Sequence, residues 1–286
     1  PLYFLIGSSV GNVALDYLFV AVFHFGVSGV GWATFLAQGI AGILAVITLL
    51  RRVAKLPTGH GKVMLYSKSM LRRIAKIAVP SILQQSFVSV GNIFIQSLVN
   101  SFGSAVIAGY SAAIKLNTFT ITSFSTLGNA LSSFSAQNIG AAKIDRVRKG
   151  FRAGTMLAWI IAVPFFVLFF FFGNEMLRIF MENPTGGAMK AGMAFLKIVS
   201  PFYFIISLKL LADGLLRGSS AMIGFMVSTF TDLILRVILA YVFAGLFGST
   251  GIWMSWPVGW SISAIISLLF YRYTWKQLSV ERRLLK

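Results

Sequence analysis

Eight runs of roughly twenty apolar residues, joined by short polar connectors, limit this chain to very few architectures. They cover 2–23, 30–50, 79–99, 105–134, 155–172, 191–216, 221–247 and 252–271. A helix needs about 20 apolar residues to cross the hydrocarbon core of a bilayer, and a backbone placed there must satisfy its own hydrogen bonds. The runs are continuous instead of alternating, which argues against a transmembrane β-barrel. Charged residues make up 11% of the 286, against about 25% in soluble domains. These patterns predict an all-α polytopic membrane protein with eight transmembrane helices.

The basic residues sort the connectors into two sets. Residues 51–76 carry eight Lys/Arg, 143–152 five and the tail 272–286 five, and Arg217 stands alone in the third connector of that side; the opposite side has Arg178 and Lys190. Positive charge stays cytoplasmic, so both ends of this chain are expected in the cytoplasm, bordering a plasma (inner) membrane. In a soluble protein the net charge of +18 would suggest nucleic acid. Here it suggests contact with the lipid bilayer, and no nucleic-acid partner is expected. The chain has no cysteine, which excludes disulfides and thiol chemistry. Residues 66–76 read either as an amphipathic surface helix entering the third span or as plain topogenic charge. Trp253, Trp256 and Trp260 are expected in an interfacial aromatic belt, with Tyr271, Tyr273 and Trp275 at the other face. Pro80 is expected at a helix start, and Pro164, Pro201 and Pro257 predict kinks within spans.

Asp16 interrupts the first run, which carries no other charge. An ionisable side chain in hydrocarbon costs at least a few kcal/mol and persists where it meets protein, water or an ion. Asn12 lies one helical turn earlier on the same face, and Thr34 follows on the next run. A carboxylate, an amide carbonyl and a hydroxyl are hard oxygen ligands suited to Na⁺ or to proton relay. Equally, the three fit a buried polar cluster that ties two helices together.

The first two spans resemble the last two. Asp16-Tyr17-Leu18-Phe19 matches Ala240-Tyr241-Val242-Phe243, and Gly26-Val27-Ser28-Gly29-Val30 matches Gly248-Ser249-Thr250-Gly251-Ile252. A repeat of that period predicts a copy of the third to sixth spans upstream of Pro1, hence two six-span halves related as a parallel repeat. Segments 1–50, 51–76, 77–271 and 272–286 then read as the last two helices of an N-terminal lobe, a basic inter-lobe loop, a C-terminal lobe of six helices and a basic tail. The halves differ chemically, because Asn12 and Asp16 correspond to Arg236 and Ala240.

Three stretches resemble the multidrug and toxic compound extrusion (MATE) family. They are Gly29-Val30-Gly31-Trp32-Ala33-Thr34-Phe35-Leu36-Ala37-Gln38, Ser135-Ala136-Gln137-Asn138-Ile139-Gly140-Ala141-Ala142 and Asp213-Gly214-Leu215-Leu216-Arg217-Gly218-Ser219. The similarity runs over the whole chain and implies helices five to twelve of a twelve-helix fold. In the DinF-like branch the cation site uses an acid on the first helix, an Asn and an Asp four residues apart on the fifth, and a Thr on the sixth. Asn12, Asp16 and Thr34 match the last three; the first acid would lie before Pro1, so this piece alone is expected to be inactive. The other branch places acids in the C-terminal lobe, where this chain has Val88 and about Ile206, neither a cation ligand.

Further polar residues lie inside spans. Gln84, Gln85, Asn92 and Gln96 recur on one helical face of the third. The fourth is crowded with small hydroxyls and amides, among them Asn117 and Asn129, and carries Lys115 roughly 15 Å deep at 1.5 Å per residue. Gln84, Gln85, Asn92, Lys115, Asn117 and Asn129 are the candidates for a substrate cavity; close helix packing through small hydroxyl residues is the competing role. Lys209 and Asp213, like Asp232 and Arg236, are spaced for intrahelical ion pairs. His24 and His60 lack metal-ligand company.

These features favour a transporter over an enzyme. The resemblance implies an antiporter, coupled to Na⁺ or H⁺, that exports drugs or toxic organic compounds by alternating access. Its substrates would be small cationic or amphiphilic molecules, it would need no cofactor, and as a full-length protein it is expected to be a monomer. A flippase for lipid-linked or polysaccharide precursors is the alternative, which Lys115 and Arg236 would suit. A membrane-embedded transferase has less support, since the acids are few and the histidines isolated.

Overall fold

The computed structural model describes residues 2–55, 66–181 and 185–284, and within these it is all helix and connector. The chain divides into two compact units, Pro1–Ser67 and Lys68–Lys286. Residues 56–65 of the basic stretch, with His60, lie outside the described residues, as do the last two residues of the tail.

In the first unit, α1 (Leu2–Tyr17) runs into a π-helical turn (Leu18–Val22) and α2 (Gly26–Ala54) folds back on it. The reversal needs two residues at positive φ, His24 at 55° and Gly26 at 58°. Phe19, Phe23 and Phe25 cluster at the turn with centroids 5.7–6.1 Å apart. Gly29 lies under this cluster, where an added Cβ would come within 3.1 Å of Phe19 and Phe25.

The second unit contains α3 (Lys68–Asn100), α4 (Ser104–Gly140), α5 (Ile144–Phe171), the short α6 (Gly173–Arg178), α7 (Gly186–Val199), α8 (Tyr203–Gly218), α9 (Met222–Phe247) and α10 (Ser249–Leu284). Seven stretches among the described residues are long and apolar enough to span a membrane: Tyr3–Val22, Gly26–Ala54, Lys68–Asn100, Ile144–Phe171, Gly186–Gly218, Met222–Phe247 and Ser249–Gln277. The eighth expected span falls in α4, 37 residues long and so about 55 Å. Its many Asn, Thr and Ser residues keep it out of the apolar set.

Three local expectations need correction. Pro80 lies inside α3, which begins at Lys68 and carries its basic first turns without a break into the apolar segment. Trp253, Trp256 and Trp260 form no interfacial belt; all three are buried. Trp253 stacks on Tyr110 with centroids 5.0 Å apart and meets Phe195 edge-on. The indoles turn inward because Tyr110, Phe195 and Tyr203 offer ring partners in the same buried cluster. The i, i+4 pair Asp232–Arg236 also forms no ion pair among the described residues, although Lys209–Asp213 does at 2.9 Å. Pro201 behaves as expected: a single 3₁₀ turn, Ser200–Phe202, separates α7 from α8.

A seam of small residues lets α4 lie against α7 and α8. A Cβ on Gly109 would fall 2.2 Å from the Ala188 carbonyl, and one on Gly128 2.7 Å from the Leu210 carbonyl. On the facing side, a Cβ on Gly214 would fall 2.1 Å from the Gly128 carbonyl and one on Gly218 2.3 Å from that of Ser132. Without a hydrophobic driving force between helices in lipid, such close backbone contact is what holds them together. Gly214→Ala is expected to force α4 and α8 apart, because no side-chain rotation relieves a clash with a carbonyl. The cost expected is at the upper end of the ~1–3 kcal/mol typical of overpacking. Denaturant unfolding of the purified protein measures it; wild-type stability would refute the seam.

Candidate functional site

Two polar sites interrupt the apolar interior, one in each unit. In the first unit, Asn12 Nδ2 donates to Thr34 Oγ1 at 3.2 Å, joining α1 to α2. The bond uses the amide nitrogen, so the carbonyl oxygen of Asn12 stays available as an acceptor or ligand. Asp16, one turn along α1, is half-buried, and its Oδ1 is enclosed without a hydrogen-bond partner. The helix loosens into its π turn directly after Tyr17, with Phe23 N–H reaching the Leu18 carbonyl at 2.9 Å. Single π turns recur at functional sites because they redirect side chains and carbonyls. Asn12 and Thr34 are thus in contact, with the carboxylate on the same helical face.

In the second unit, α3, α4, α8, α9 and α10 enclose a cavity of about 490 Å³. Gln84, Gln85, Asn92 and Gln96 line it from α3, as their shared face predicts, and Asn117 lines it from α4. Asn117 is held by the Tyr203 hydroxyl, which donates to its Oδ1 at 3.2 Å. Val88 and Ile206 also line the cavity and bring no ligand oxygen.

Two of the candidate cavity residues sit elsewhere. Lys115 occupies a separate hollow with Ser104, Ser111 and Thr185, its ammonium 5.9 Å from the centroid of Phe180. It lies on the α4 face turned toward α6 and α7 instead of α3. Asn129 accepts a hydrogen bond from Arg217 at 2.7 Å and is not among the cavity's lining residues.

The cavity also holds charges first read as paired only along their own helices. Lys209, Asp232 and Arg236 all line it, and each is nearly buried. Lys209 pairs with Asp213, whose Oδ1 also accepts from the Ser267 hydroxyl at 2.6 Å. Ser267 in turn hydrogen-bonds Ser228, so α8, α9 and α10 share one polar chain. Arg236 instead lies over Trp256, 4.6 Å from the ring centroid, and its Nε has no hydrogen-bond partner. Asp232 Oδ1 is likewise unpartnered and faces Gly259, where a Cβ would come within 2.8 Å. The spacing of Thr229, Asp232 and Arg236 marks them as one face of α9, the signal in the sequence that could have placed them at the cavity.

Helices of spanning length around a polar, charge-bearing cavity define a multi-pass membrane protein. The chain belongs to the MatE family, whose profile matches residues 80–242. It is 29% identical over 285 residues to the probable multidrug resistance protein YpnP of Bacillus subtilis, covering 98% of this chain and 62% of that protein. With the probable multidrug resistance protein YoeA of the same organism it shares 26% identity over 293 residues, 99% of this chain and 62% of that one. The fold matches the outward-facing conformation of a multidrug resistance MATE family transporter of the MOP superfamily, with a TM-score of 0.87 at 18% identity, over 97% of this chain and 62% of the other. The chain therefore spans about 62% of the length of the relatives it matches.

Proposed function

We propose that the protein exports small organic compounds across its membrane, driven by Na⁺ or H⁺ moving inward. The observation that carries this reading is the Asp16 carboxylate, enclosed in an apolar helix hairpin with an unpartnered oxygen beside the Asn12–Thr34 contact. A bare carboxylate in low dielectric is costly, and binding a cation or a proton removes that cost. Asn12, Asp16 and Thr34 then form part of the coupling site. The ion biases the outward-open and inward-open states through its different affinity for each.

The second-unit cavity supplies the compound site. Gln84, Gln85, Asn92 and Asn117 offer hydrogen bonds, and Trp256 and Trp260 offer flat apolar surface. Transport by such a site breaks no covalent bond, so the protein works as a carrier and not as an enzyme. The names of its relatives, multidrug resistance proteins, support compounds of varied structure as substrates. The basic connectors face the cytoplasm in this arrangement, and one copy of the full-length protein suffices.

Efflux of a fluorescent organic cation from cells expressing the full-length protein tests this. Expected is faster efflux than in empty cells, with a further increase when an inward Na⁺ or H⁺ gradient is imposed. Efflux indifferent to both gradients would remove the coupling, and no efflux of any compound would remove the export reading.

A further inference from the structure

A third hollow, distinct from the polar cavity and from the one around Lys115, runs along the outer face of the second unit between α5 and α8. It has a volume of about 590 Å³ and is walled almost wholly by apolar side chains, among them Met156, Trp159, Val163, Phe204 and Leu208. Trp159 Nε1 donates to the Phe204 carbonyl at 3.2 Å, which fixes the indole across the groove. Arg152 is the charged residue of the lining.

The charge at that end does not stand alone. Arg148 precedes Arg152 by one helical turn on the same face of α5. Both lie within electrostatic reach of the Tyr271 hydroxyl on α10, and the Tyr271 ring stacks on Phe151 with centroids 4.6 Å apart. Two guanidinium groups and a phenol therefore gather in the first three turns of α5, where a span meets the bilayer surface. The apolar groove extends from them for about three turns, roughly 16 Å at 1.5 Å per residue.

We propose that this groove binds an anionic phospholipid, with one acyl chain along Met156, Trp159 and Val163 and the phosphate at Arg148, Arg152 and Tyr271. The shape of the site matches that molecule: a long apolar slot with cationic donors at one end. Arginine suits phosphate because its planar fork donates two hydrogen bonds at once, and basic pockets between spanning helices hold anionic headgroups. A zwitterionic lipid would fill the slot equally well but would gain less from the arginines.

Tryptophan quenching by lipids with brominated acyl chains reads occupancy of the slot directly. The purified protein is placed in bilayers of phosphatidylcholine in which either brominated phosphatidylglycerol or brominated phosphatidylcholine replaces part of the lipid at equal mole fraction. The contribution of Trp159 is obtained by difference against Trp159→Phe. Expected is half-maximal quenching of Trp159 at a lower mole fraction of phosphatidylglycerol than of phosphatidylcholine, by roughly five-fold for each arginine. The preference should vanish in Arg148→Gln/Arg152→Gln. In the unaltered protein it should also shrink at high salt, a measurement that needs no variant to fold. Equal quenching by both lipids, or a preference that survives the double substitution or high salt, would overturn the proposal.

Discussion

Asp16→Asn is expected to abolish ion-driven export while leaving the protein folded and inserted. The amide keeps the shape of the carboxyl group and can still hydrogen-bond beside Asn12 and Thr34, but it carries no charge to balance a bound cation and accepts no proton. An ion drives alternation only through its different affinity for two states, and a swing from 1:99 to 99:1 needs a difference of about 10⁴-fold. An uncharged amide cannot provide that. Folding should not suffer, since the substitution removes a costly buried charge. Efflux from energised vesicles, with Na⁺ and pH gradients imposed separately, is the measurement. Thr34→Ala, which removes one neutral ligand, should weaken the response without abolishing it. Asp232→Asn should leave ion dependence intact, because its carboxylate lies in the other unit beside Arg236 and Gly259. An Asp16→Asn protein that responds to the gradient as the wild type does would sink the coupling site.

Spacing along one helix was legible in the sequence, and contacts between helices were not. Asn12 and Asp16 share a face by the i, i+4 rule, and Gln84, Gln85, Asn92 and Gln96 line one cavity as their period predicts. Apolar run length located the spanning helices, and Pro201 marked the break between α7 and α8. On α4 the rule gave no direction. Polar residues surround that helix, so periodicity could not tell that Asn117 faces the cavity, that Lys115 faces Phe180, or that Asn129 meets Arg217. Its polarity reflects close packing through Gly109 and Gly128 on one side and the cavity on another.

The tryptophans misled for a related reason. Indoles near a span's end usually lie at the interface, but Trp253, Trp256 and Trp260 turn inward, where Tyr110, Phe195 and Arg236 supply ring and cation partners. Such partners come from α4, α7 and α9, far apart in sequence. The same holds for Asp232 and Arg236. Spacing permits a pair along α9, but the guanidinium lies over Trp256, and the charges stay separate at the cavity wall.

Removing one charge from the buried Lys209–Asp213 pair should destabilise the protein more than removing both. The pair sits on α8 at 2.9 Å, each side chain about 5% exposed. Breaking a buried pair from one side typically costs about 3–5 kcal/mol, since an uncompensated charge remains, whereas replacing both partners by apolar residues is often close to neutral. Lys209→Met leaves Asp213 with the Ser267 hydroxyl and, at longer range, the Arg217 guanidinium, and should fall at the lower end of that range. Asp213→Asn should cost at least as much, because Lys209 keeps Asp232 within electrostatic reach but also meets the like charge of Arg236 on the same cavity wall. Lys209→Met/Asp213→Leu should recover most of the loss, less the bond from Ser267, which keeps Ser228 as partner. Unfolding of the purified variants in denaturant orders the three. If Lys209→Met unfolds with the wild type, the pair behaves like an exposed one and the polar chain across α8, α9 and α10 does not hold these helices in register.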